Sequence, residues 1–273
     1  MSHRKLLVAV SGLVLIGSLP VFAGGAKKGT QYAILIAVSK YAKTDQWRPL
    51  PYTIDEMKEF RAVLLDSSFA QQNIEFLHDE QSDEKLRPTS ANIVKKINLM
   101  LAEIGANDTL LVAMNGHGVQ YKGDATGYFC PVNADLLDKN TLLPMDGKAG
   151  VYGLLEQCRA KRKLLIVNAC RNDPARDLSF AAERVHLVDK DDSEVPKGIA
   201  AIFSCKPGQR SYYYPGEKNI KRSMFYHHLI EAWGGKYAGS TRSISPWFTS
   251  EYHLFERRVV PRGLLTPTMD ASL

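Results

Sequence analysis

The chain has 273 residues, 45% hydrophobic and 23% charged. These are globular proportions that exclude a disordered or fibrous protein and leave ample chain for a sizeable core. The formal net charge is +6, but Arg4 and Lys5 belong to a leader and no long Lys/Arg run follows, so no nucleic-acid partner is assigned.

The leader has three parts. His3, Arg4 and Lys5 form a basic start, Leu6 to Leu19 is mostly apolar, and Val21-Phe22-Ala23 supplies small residues before a cut. That order predicts a secretory signal peptide cleaved after Ala23. The apolar stretch is short for a bilayer span, so the expected product is exported (periplasmic or secreted) without a stable membrane anchor. The expected organisation is a signal peptide over 1–23, a short lead over 24–30, one domain over 31–260 and a tail over 261–273.

Beyond the lead, strand-like and helical patterns alternate. Ala33 to Val38 is a continuous apolar run, as in a strand buried on both faces. Ile54, Met57, Phe60 and Leu64 then recur at helical spacing, and Asn73 to Leu77 reads as a second strand. Pro88 and Thr89-Ser90 open a helix with the stripe Ile93, Val94, Ile97, Leu101 and Ile104. Asp108 leads into a third strand, Thr109 to Met114. A helix over Val151–Cys158, strands over Leu164–Val167 and Ile199–Ser204, and a helix over Met224–Trp233 follow. Ser245-Pro246 signals a last helix through Phe255. Strand-helix alternation means parallel strands with crossover helices, hence an α/β layered domain. The charged stretch Arg171 to Lys197 breaks the rhythm and reads as a long loop.

Four cysteines in an exported chain allow two disulfides. The contexts argue otherwise. Cys158 follows Val151, Leu154 and Leu155 at helical spacing, and Cys205 ends an apolar run. Two or three of the four are expected to be buried thiols, with Cys170 set aside for chemistry.

Ligands collect at the carboxyl ends of parallel strands. The third strand runs into Asn115-Gly116-His117-Gly118, and the strand Leu164–Val167 into Asn168-Ala169-Cys170-Arg171-Asn172. Adjacent strands lie about 5 Å apart, so the two loops can set an imidazole beside a thiol. The imidazole draws the thiol toward thiolate and later protonates a leaving amine. Gly116 and Gly118 permit a tight turn around His117, and the N–H groups of Gly118 and Cys170 are candidates for an oxyanion hole.

Taken together, His117-Gly118 and Ala169-Cys170-Arg171, 53 positions apart, resemble the caspase/metacaspase-like family of cysteine peptidases. The likeness extends over roughly 31–237 and takes in Leu50-Pro-Tyr-Thr-Ile-Asp55 and Ser204-Cys-Lys-Pro-Gly-Gln209. It implies a three-layer αβα sandwich with a mostly parallel sheet. It also implies a His117–Cys170 dyad and peptide-bond hydrolysis through an acyl-thioester on a protein or peptide substrate. Two positions depart from the family pattern. Asn168 stands where metacaspase-like members have Asp and caspases have Gln, and Asn115 stands where Ser is usual. By resemblance Asp55 and Asn168 line the S1 pocket and favour Arg or Lys before the cut, whereas a caspase-type pocket for Asp would draw on Arg48. The loop Arg171–Lys197 is where caspases are processed.

The alternative reading is a catalytically inactive caspase-like binding module. A metal-dependent hydrolase carries little weight, because His227 and His228 are helix neighbours that face apart, and no metal ligand is assigned. The chemistry requires no cofactor. Calcium enters as an activator through the resemblance alone, because Asp189 to Glu194 lacks the ordered spacing of an EF-hand loop.

Overall fold

A computed structural model describes residues 29–121, 123–169, 195–204 and 222–234. The leader, Cys170, most of the Arg171–Lys197 stretch, Cys205, the Ser245–Phe255 helix and the tail lie outside the described residues. In chain order the elements are β1 (Gln31–Ala37), α1 (Thr53–Asp66), β2 (Ile74–His78), α2 (Ser90–Glu103) and β3 (Thr109–Asn115). A short meander follows, β4 (Gly118–Gln120), β5 (Gly127–Phe129) and β6 (Leu143–Pro144). The remainder is α3 (Val151–Gln157), β7 (Arg162–Asn168), β8 (Ala200–Phe203) and α4 (Met224–Trp233).

The main sheet has the order β2-β1-β3-β7-β8, and every pairing in it is parallel. The period-2 alternation of a strand divides its unbroken apolar runs between two faces. Ile34, Ile36, Leu110, Val112, Met114, Leu165 and Val167 pack with Ile93, Ile97 and Met100 of α2 and Val151, Leu154 and Leu155 of α3. Ala33, Leu35, Ala37, Leu111, Ala113, Leu164 and Ile166 pack with Ile54, Met57, Phe60 and Leu64 of α1 and Phe225, Tyr226, Leu229 and Trp233 of α4. The result is the expected three-layer αβα sandwich.

The α1–α4 layer is pinned by aromatic rings. Phe60 meets Trp233 edge-on at 5.4 Å and Tyr226 at 5.9 Å between ring centroids. Burying such a side chain contributes about 1.5–3 kcal/mol. At the start of α2, the Thr89 hydroxyl accepts from the Asn92 N–H at 3.2 Å, the N-cap the Thr-Ser pair predicts. Helix α3 ends at Gln157 and leaves Cys158 as its C-cap. Cys158 and Cys130 are both buried thiols, as expected.

Two features place the functional edge. The strand order changes direction between β1 and β3, so a crevice opens at the carboxyl ends of those strands. The register runs through to Asn115↔Asn168, so β3 and β7 end level with each other. The antiparallel sheet β4-β5-β6, which the sequence reading does not include, grows directly from the loop after β3.

Candidate active site

His117 lies two residues beyond the last register pair on β3, and Cys170 two residues beyond it on β7. The strand ends are stitched by the Gly116 N–H, which donates to the Asn168 carbonyl at 3.1 Å. His117 is held through both its backbone and its ring. Its N–H donates to the Tyr41 hydroxyl at 2.7 Å, and its carbonyl accepts from the Cys130 N–H at 2.9 Å. Its ring stacks on Trp47 at 5.3 Å and tilts against Tyr41 at 5.2 Å. Trp47 is itself anchored by its Nε1–H donating to the Ala134 carbonyl at 2.9 Å.

A further contact of the ring sets the chemistry. His117 Nε2 lies 2.8 Å from the Arg48 carbonyl. A carbonyl only accepts, so Nε2 carries the proton and the basic lone pair of the neutral ring sits on Nδ1. Arg48, considered from the sequence for its side chain, thus acts on the histidine through its backbone.

The small sheet orients the neighbouring N–H. The Cys130 N–H bond to the His117 carbonyl flanks the Gly118↔Phe129 pair, so by alternation the Gly118 N–H points away from β5, along the open edge of the meander. That direction suits an oxyanion donor. Neither Gly116 nor Gly118 has a positive φ, so the turn around His117 uses no left-handed backbone at either glycine. Gly116 is needed for space instead. A Cβ there would lie 3.0 Å from the Phe129 ring and 3.1 Å from the Tyr41 hydroxyl.

Beneath this edge lies a closed polar ring that the sequence does not announce. Glu56, Asn115, Asn168 and Ser223 are all buried. Asn115 Nδ2 donates to Glu56 Oε2 at 2.7 Å, and Asn168 Nδ2 donates to Asn115 Oδ1 at 3.0 Å and to Ser223 Oγ at 3.2 Å. The Ser223 N–H closes the ring on Glu56 Oε1. The two departures from the family pattern, Asn115 and Asn168, are therefore hydrogen-bonded to each other.

One carboxylate placed in the S1 pocket by resemblance stands outside this ring. Asp55 is turned outward, its side chain 70% exposed and paired with Lys58 at 3.3 Å. The carboxylate joined to Asn168 through Asn115 and Ser223 is Glu56, 1% exposed. Helical geometry is the reason, since adjacent residues differ by about 100° around the axis and only one of the pair faces the core. The signal in the sequence was the spacing of Glu56 from Phe60 at i,i+4, which puts it on the apolar face. Burial, opposed by hydrogen bonds from Ser223 and Asn115, raises the Glu56 pKa above its usual value.

Comparison with known proteins agrees with the fold. A caspase-domain family model matches residues 30–250. The chain belongs to that caspase-domain peptidase family. Among curated relatives, Metacaspase-1A of Aspergillus oryzae is 29% identical over 34% of this chain and 22% of its own length. Metacaspase-1 of Eremothecium gossypii is 23% identical over 56% of this chain and 34% of its own. The chain thus spans about a fifth to a third of these relatives' length. Among solved structures, Caspase-1 from Spodoptera frugiperda superposes with a TM-score of 0.50 at 20% identity, over 79% of this chain and 72% of that one. A protein from Geobacter sulfurreducens gives 0.53 at 17% identity, over 79% of this chain and 86% of that one. These two likenesses concern the fold.

Proposed function

We propose that the chain is an exported cysteine endopeptidase that cuts after Arg or Lys. The observation carrying this reading is His117, fixed at the carboxyl end of β3 by Tyr41, Trp47 and the Arg48 carbonyl, level with the strand that runs into Cys170. His117 Nδ1 takes the Cys170 thiol proton, the thiolate attacks the scissile carbonyl, and the negative oxygen is held by the N–H groups of Gly118 and Cys170. The C–N bond breaks as His117 Nδ1 gives its proton to the leaving amine. Water then attacks the thioester, Nδ1 takes its proton, and the acid product leaves with the thiolate restored.

The preference for a basic residue rests on Glu56, the negative group of the buried ring beside Asn168. Export rests on the leader before Ala23. Calcium as an activator rests on the likeness to metacaspases, and no ligand is assigned. Cleavage of matched peptides carrying Arg, Lys or Asp before the cut is the test. Arg and Lys peptides are expected to be cut faster. A faster Asp peptide contradicts the basic pocket, and the absence of any cleavage, with and without calcium, supports the inactive binding module.

Gly116 offers a separate prediction. Gly116→Ala is expected to lower kcat by about tenfold or more with the fold retained, because the new Cβ pushes on Phe129 and on the Tyr41 hydroxyl that positions His117. Circular dichroism and steady-state kinetics check it, and an unchanged kcat would show that Tyr41 does not position the base.

A further inference from the structure

His227 and His228 are neighbours on α4 whose side chains leave the axis about 100° apart. On α4 they converge on a third residue. Positions 227 and 228 differ by about 100° around the helix, and position 231, one turn on, falls about 40° past 227 and so between them. Side chains lean toward the helix N-terminus, which brings Glu231 back over the pair. Accordingly Glu231 Oε1 lies 3.7 Å from His227 Nε2 and Oε2 lies 4.0 Å from His228 Nδ1. The two rings are 5.1 Å apart, inclined at 70°, and one donor atom from each residue falls within 4.8 Å of the others.

We infer that His227, His228 and Glu231 form a binding site for a divalent transition-metal ion of the zinc class. Two imidazole nitrogens and one carboxylate suit zinc and its neighbours, whereas calcium and magnesium take oxygen ligands. Tetrahedral zinc at about 2.0–2.2 Å from each donor sets donors about 3.3 Å apart. The observed separations close to that value by small side-chain rotations. The backbone beneath is already fixed, because Phe225, Tyr226, Leu229 and Trp233 on the same helix are locked into the core. The three side chains are only 18%, 12% and 17% exposed, so their orientations are restricted before any ion arrives.

The site adjoins the polar ring. The His227 N–H donates to the Ser223 carbonyl at 3.0 Å, and Ser223 holds both Glu56 and Asn168. An ion bound here stiffens the first turns of the helix that closes the ring. This inference does not depend on the proposed peptidase activity.

The test uses the full chain carrying Cys170→Ala, so that the thiol is not a ligand. Zinc is titrated and counted after dialysis, and cobalt(II) is used as a spectroscopic probe of nitrogen and oxygen ligation. One equivalent is expected to bind, weakened at least tenfold by Glu231→Gln and by His228→Ala, with calcium in excess failing to displace it. Glu231→Gln keeps the side-chain volume and carries the test if His228→Ala does not fold. No bound equivalent in the parent, or equal affinity in Glu231→Gln, would overturn the inference.

Discussion

Cys170→Ala is expected to reduce peptide turnover at least about a thousandfold while leaving the circular dichroism spectrum and melting temperature unchanged, because it removes the nucleophile and few packing atoms. His117→Ala is expected to fall nearly as far. The two residues act as a unit, and the double variant should be no worse than either single one by more than a small factor. Additive losses would mean that the two side chains serve separate steps. The tautomer gives a sharper reading. With Nε2–H held by the Arg48 carbonyl, only a side chain that presents its lone pair at the Nδ1 position can replace the base. His117→Gln keeps a polar group without a titratable nitrogen and should stay as inactive as His117→Ala.

Glu56→Gln is expected to lower kcat/KM for Arg peptides by roughly two hundred- to several thousandfold, the cost of leaving a desolvated cation without its partner, about 3–5 kcal/mol. Asp55→Asn, at the exposed neighbouring position, should change it little. The pH dependence has a definite sign. Recognition of a cation needs Glu56 ionised, so kcat/KM for Arg peptides falls as pH drops through a pKa that burial has raised above the usual carboxylate value. Folding stability runs the other way. Because the folded-state pKa is the higher one, the Glu56 contribution is complete below the unfolded-state pKa and is lost as pH rises through the folded-state value. A parallel fall in kcat/KM for neutral-residue peptides over the same pH range would assign the titration to another group.

The buried ring also predicts a cost for a second acid at position 168. By analogy Asn168→Asp should sharpen Arg preference by supplying a second acid. In the structure Asn168 Nδ2 is the donor to both Asn115 and Ser223. An aspartate there presents only acceptors to that pair and adds a second buried charge in the ring with Glu56. It should destabilise the domain, and a melting curve would register the loss.

The β3 and β7 strands were legible because each is a long apolar run ending in Asn and a chemically distinctive residue, and parallel neighbours must end on the same side. The α1 and α2 stripes were legible because 3.6-residue spacing leaves few other readings. The β4-β5-β6 meander was not, since strands of two or three residues carry no period. Glu56 was missed for a different reason. A first-turn pair Asp55-Glu56 looks like two helix-dipole carboxylates until the axis rotation shows that one must enter the core. Tyr41, Trp47 and the Arg48 carbonyl lie some seventy positions before His117, and a backbone acceptor has no residue-type signature at all. The His227–His228–Glu231 convergence was set aside by considering the adjacent pair alone, without the residue one turn further.

Covalent capture tests the central claim most directly. A peptidyl-arginine acyloxymethyl ketone, which alkylates an attacking thiolate in the acyl position, is incubated with the full chain, and the adduct is located by peptide mass spectrometry. A single adduct at Cys170 is predicted, lost in His117→Ala and outcompeted by an Arg peptide substrate. Labelling spread over Cys130, Cys158, Cys170 and Cys205, or equal labelling of Cys170 in His117→Ala, would contradict the dyad.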